Sequence, residues 1–137
     1  MARGDLDEAM TLYKEQERIC RRLGIKDGLQ ATLGNQALVL KDRGELDGAM
    51  ALHKEEERIC RERGDKDGLR RTLGNQANIH KVRGNMEQAV ALHKEEERIC
   101  RELGNKDGLQ ASLGNQGSIL FGRGDLAGGM ALFKIQE

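Results

Sequence analysis

The sequence predicts an all-α fold, a solenoid of antiparallel helix hairpins, on three observations: a gapless internal repeat, helical spacing of apolar residues inside it, and a composition hostile to sheet. The string Glu-Arg-Ile-Cys-Arg occurs at 17–21, 57–61 and 97–101, so Cys20, Cys60 and Cys100 lie 40 residues apart. Lys-Asp-Gly-Leu (26–29, 66–69, 106–109) and Leu-Gly-Asn-Gln (33–36, 73–76, 113–116) keep the same interval. Three motifs on one period define a repeat array. Proline is absent and aromatic residues make up 2% of the 137, which leaves too few strand formers for a sheet and a core to be built from Leu, Ile, Met and Ala.

Each repeat divides into two helices. Helix A is expected from about Asp27 to Arg43, with Leu29, Leu33, Ala37 and Leu40 on one face. Arg43-Gly44 and its copies at 83–84 and 123–124 supply the stop. Helix B is expected from about Glu45 to Arg63, with Leu46, Ala49, Met50, His53, Ile59 and Cys60 inward, and Gly24, Gly64 and Gly104 ending the B helices. Asp27, Asp67 and Asp107 are the expected N-caps of the A helices. Short links make consecutive helices antiparallel neighbours. Helices with a single apolar stripe need a neighbour to cover it, so repeats stack one against the next. The expected order is B-A-B-A-B-A-B, seven helices, in repeats at about 5–44, 45–84 and 85–124 with a partial one at 125–137, a single array over 1–137. On that phasing the array has no capping helix at either end, as in a window of a longer array or a chain completed by association.

A helix pair joined by Arg-Gly-Glu-Leu and followed by Ala-Met-Ala-Leu-His (43–46, 49–53) resembles the tetratricopeptide repeat (TPR). Gly44 with Ala49 and Gly84 with Ala89 take the family's glycine and alanine positions, and Gly124 has a weaker match at Gly129 or Met130. The period and the Leu-Gly-Asn string are similar to the long, 40-residue Leu-Gly-Asn-type repeats. The resemblance spans essentially the whole chain and implies a right-handed solenoid whose A helices line a concave groove. It departs from the family where Gly64-Asp65-Lys66 replaces a frequent proline, where Gln36, Gln76 and Gln116 stand for a buried leucine, and where Glu56 and Glu96 stand for a small residue. A carboxylate turned inward needs a partner. Either Gln36 donates to Glu56 within the repeat, making a polar rung, or a rotated B helix leaves Glu56 wet.

The formal net charge is zero, which removes the electrostatic argument for a nucleic-acid partner or an acidic membrane surface. No apolar run is long enough to span a bilayer. The cysteines read as small core residues: packed helices lie about 8–10 Å apart, beyond disulfide reach, and a reducing, cytoplasmic home follows. His53 with Glu57 and His93 with Glu97 are i, i+4 pairs, but Tyr13 and Phe133 take the same place elsewhere, which points to packing rather than metal ligation. Catalytic motifs are not found, and no cofactor or metal is expected. The mixed-charge run Lys54-Glu55-Glu56-Glu57-Arg58 reads as a solvated stripe.

The groove carries the functional expectation. The resemblance puts Asn35, Lys41, Arg71, Asn75, Asn78, Lys81, Asn115 and Phe121 on the concave side, with Asn35, Asn75 and Asn115 at the family's peptide-binding asparagine. Two readings stand: an amide ladder that pairs with an extended peptide's main chain, or asparagines that bond neighbouring helices and specify the stack. The partner would be a protein or peptide. A different class of function, self-association through exposed terminal helices into a homo-oligomeric array, is the alternative.

Overall fold

The computed structural model describes residues 3–124 and contains six helices in that span: α1 (Arg3–Leu23), α2 (Lys26–Asp42), α3 (Leu46–Arg63), α4 (Lys66–Val82), α5 (Met86–Leu103) and α6 (Lys106–Gly122). The even-numbered helices are the A helices and the odd-numbered ones the B helices. The expected seventh helix and the partial repeat at 125–137 lie outside the described residues. The chain forms two compact units, Met1–Asp65 and Lys66–Glu137. In the first, α2 packs against both α1 and α3; in the second, α5 packs against both α4 and α6.

Every helix stop is a glycine in the left-handed region, from Gly24 at φ 70° to Gly124 at φ 84°. At Gly64 the N–H donates to the Arg61 carbonyl and the next N–H, of Asp65, donates back to Cys60 at 2.9 Å. This is the Schellman arrangement, and it reverses the chain within two residues. Glu45 bonds back to Leu40, Asn85 to His80 and Asn105 to Cys100 in the same way. The link is so short that the residue after each glycine already begins the next helix. The expected Asp N-caps are therefore displaced by two positions. Ile25 is the N-cap of α2, without a side-chain bond, whereas the Asn105 side chain caps α6 by accepting the Gly108 N–H at 2.9 Å. Asp27 instead sits inside the first turn, where a carboxylate complements the helix dipole.

Leu33, Ala37, Ala49 and Cys60 in the first unit, and Leu73, Ala77, Ala89 and Cys100 in the second, are completely buried. The cysteines are free and buried. Cys20 and Cys100 lie over Gly28 and Gly108, where an added Cβ would meet sulfur at 2.7 and 2.8 Å, so these two glycines make room for the thiol of the preceding B helix. Desolvation, reinforced by Glu96, pushes the Cys100 thiol up, which keeps it protonated and unreactive.

Polar side chains complete the interior. Thr32 donates to the Tyr13 carbonyl at 2.7 Å and Gln36 to the Glu17 carboxylate at 2.9 Å. Ser112 and Gln116 repeat this on the His93 carbonyl and Glu97, at 2.6 and 3.0 Å. The rung thus exists but joins α2 to α1 and α6 to α5, the B helix before each, and not to Glu56 as the sequence suggested. Positions 34 and 36 are about 200° apart around a helix. Gln36 faces α1, and it is Gly34 that faces Glu56 on α3. Glu56 is buried rather than wet, and its partner is His53 Nδ1 at 2.9 Å. The i, i+4 pairing of His53 with Glu57 is corrected accordingly: the bond is i, i+3, and Glu57 accepts from Arg61 instead.

On the outer side of the B helices, Arg58–Glu62, Arg61–Glu57, Arg98–Glu102 and Arg101–Glu97 form i, i+4 ion pairs. Arg21 reaches both Glu17 and Glu55, tying α1 to α3. Exposed pairs of this kind contribute about 0–1 kcal/mol each. No helix among the described residues is long and apolar enough to cross a membrane.

Candidate functional site

In the second unit, two A helices flank one B helix, and a groove of about 280 Å³ lies along them. Helix α4 contributes Arg70, Arg71, Gly74, Asn75 and Asn78, α5 contributes His93 and Glu96, and α6 contributes Asn115. Helical spacing accounts for this convergence: positions 71, 74, 75 and 78 form one stripe of α4 at i, i+3, i+4 and i+7.

The two arginines are held above Asp67. Arg70 Nε donates to Asp67 Oδ1 at 2.9 Å, while Arg71 approaches Oδ2 only to 3.9 Å and is 59% exposed. Arg71 therefore keeps most of its donors for solvent or a ligand. Across the groove, Glu96 Oε1 bonds His93 Nδ1 at 2.9 Å. Its other oxygen, Oε2, lies 2.6 Å from where a Gly74 Cβ would stand. Glycine at this position of the Leu-Gly-Asn string thus admits a side-chain carboxylate, not a closer helix backbone. Gly34 does the same for Glu56 in the first unit.

Of the residues singled out by sequence, Arg71, Asn75, Asn78 and Asn115 come together here. Among the described residues, no side-chain hydrogen bond holds Asn35, Asn75, Asn78 or Asn115. Their amides do not bond the stacked helices together, as the second reading of these asparagines required. Asn35 and Lys41 belong to α2 in the first unit, both half-buried. Lys81 is exposed near the end of α4, and Phe121, 52% exposed, occupies the last turn of α6; neither lines this groove. Arg70, His93 and Glu96 were missed as lining residues. Their signal was Gly74 itself, since a glycine on the inner face of a helix marks where something from a neighbour must fit.

A second hollow of about 240 Å³, lined by Cys20, Arg21, Gly24, Ile25, Lys26 and Leu29, lies at the α1–α2 turn. Among the described residues, no three His, Cys, Asp or Glu side chains gather as a metal centre would require.

No protein-family model and no curated protein matches the chain. Solved structures do. BtubC (BKLC) from P. vanneervenii superposes with a TM-score of 0.88 at 20% identity, over 97% of this chain and 55% of that one. A Podosopora anserina protein described as a putative kinesin light chain with nearly identical TPR-like repeats gives 0.80 at 16% identity, over 97% of this chain and 66% of that one. A point variant of that protein gives 0.76 at 15% identity, with the same coverage. The chain spans about half to two thirds of the length of these proteins. Its structural neighbours are TPR-like repeat proteins, and the fold expected from the repeat is the fold they share.

Proposed function

We propose that this chain is a non-catalytic protein-interaction module that holds an extended peptide, or an extended segment of a partner protein, against its A helices. One observation carries the reading: Asn75, Asn78 and Asn115, with unbonded amides, stand around one groove beside a largely unpaired Arg71. An asparagine amide both donates and accepts, so it can pair with the N–H and C=O of an extended main chain with little demand on sequence. Arg71 adds attraction for an acidic group. Asn35, Lys41, Lys81 and Phe121 extend the recognition surface if the modules at 5–44, 45–84, 85–124 and 125–137 act as a single array. Three buried, free thiols favour a reducing compartment such as the cytoplasm.

Peptides selected from a displayed library, titrated against the protein by fluorescence anisotropy, test this. Asn75→Ala with Arg71→Glu is expected to abolish binding; full retention overturns the groove reading.

Self-association is a second reading, favoured by α1. Ile19 is 38% exposed, whereas its counterparts Ile59 and Ile99 are 3% and 2% exposed, and Leu12 is 64% exposed on the same helix. Sedimentation at rising concentration separates the two readings. A persistent monomer excludes assembly.

A further inference from the structure

We infer that Glu96 is a specificity residue, and that the segment bound in the groove carries a basic side chain seated on Glu96 next to an acidic one facing Arg71. This rests on the groove being the binding surface. A carboxylate offers about four acceptor positions, and among the described residues Glu96 is hydrogen-bonded only by His93, through Oε1. The side chain is 12% exposed and lines the groove, and Arg70 is engaged by Asp67. A half-buried carboxylate with acceptor positions left over toward a groove is a seat for a charged donor. A lysine or arginine entering the groove supplies that donor and the opposite charge.

The groove is consequently bipolar, with an anion in its floor and a cation on its rim. A wholly acidic segment would be repelled at Glu96, and a wholly basic one at Arg71. If Glu96 served only to orient the His93 ring, a neutral acceptor would do as well. Helix α1 has such a neutral pair, Tyr13 and Gln16, at the places of His93 and Glu96.

The test selects random twelve-residue peptides displayed on phage against the wild-type protein and against Glu96→Gln, which keeps an acceptor for His93 but removes the charge. If Glu96→Gln loses helicity, the double variant His93→Tyr/Glu96→Gln, which copies the Tyr13 and Gln16 pair, replaces it. Wild-type selections are expected to be enriched in peptides with a Lys or Arg near an Asp or Glu. Those peptides should bind the variant about tenfold more weakly, the loss of one charged hydrogen bond. If selected peptides lack the basic residue, or bind the variant equally well, the inference falls while Asn75-dependent binding preserves the groove. If the wild-type protein selects nothing, groove and inference fall together.

Discussion

The two units are cut from the same repeat in opposite phase. Helices α1–α3 read B-A-B, so one A helix lies between two B helices; α4–α6 read A-B-A, so one B helix lies between two A helices. Both contain the buried His–Glu pair over a glycine, His53–Glu56 at Gly34 and His93–Glu96 at Gly74. Both contain the hydroxyl–glutamine rung. What differs is the surface these shared interiors support. Two A helices on one B helix bring amides from α4 and α6 to a common groove, whereas the first unit on its own has a single A helix and a single such asparagine, Asn35. The interior is thus a property of the module, while the groove that brings Asn75, Asn78 and Asn115 together needs two A helices on one B helix.

The core offers the severest test of that equivalence. Leu33→Ala and Leu73→Ala each remove a completely buried side chain from matching sites, and each is expected to cost about 3 kcal/mol in denaturant unfolding. Costs that differ by several-fold would mean the two interiors are not equivalent. Next in size, Asn75→Ala combined with Asn115→Ala should weaken peptide binding about tenfold or more, the loss of roughly 1.4 kcal/mol, while Asn35→Ala has a much smaller effect in the same titration. An equal effect would remove the distinction between the units.

Glycine substitutions probe the modules at the level of about 1 kcal/mol. An alanine at 74 gains helix propensity of about 1 kcal/mol, but its Cβ would displace Glu96 Oε2, 2.6 Å away, and with it the carboxylate whose other oxygen, Oε1, is bonded to His93. A hydrogen bond to a charged group is worth more than that gain, so Gly74→Ala should lower the melting temperature. Gly122→Ala, with nothing within 4 Å, should leave it unchanged or raise it. The smallest effect concerns acid. Burial alone would raise the Glu17 carboxyl, but the bond from Gln36, aided by Arg21 and Lys14, carries it below its ordinary value of 4.5. A lowered native value stabilises the fold above pH 4.5, and that contribution is lost as pH falls through the native value. Gln36→Ala should flatten that decline between about pH 5 and 3 in acid titrations followed by circular dichroism; an unchanged slope would detach Glu17 from Gln36.

Much of this was legible in the chain. Leu33, Ala37, Ala49 and Cys60 were assigned inward from spacing and are completely buried. The glycine stops fall at the expected residues because only glycine enters the left-handed region without strain. Gln36 is buried, as its place in the resemblance implied, but neither reading of Glu56 held: it is buried, not wet, and bonds His53 rather than Gln36. Periodicity reports which residues leave the solvent, yet an A helix between two B helices has two inner faces, and a one-dimensional pattern does not say which neighbour each one meets. The N-caps were displaced for a related reason: the compactness of the Schellman turn is a backbone property that leaves no mark beyond its glycine.

The helices, their ends, the 40-residue module and the residue types inside it were settled along the chain, since these depend on local propensity and on spacing. Folding in three dimensions was needed before Gln36 could bond Glu17, before Glu96 could lie under Gly74, and before Asn75, Asn78 and Asn115 could share one groove. Those facts depend on how neighbouring helices are rotated about their own axes. That rotation is set by packing summed over whole faces, to which no single residue holds the key.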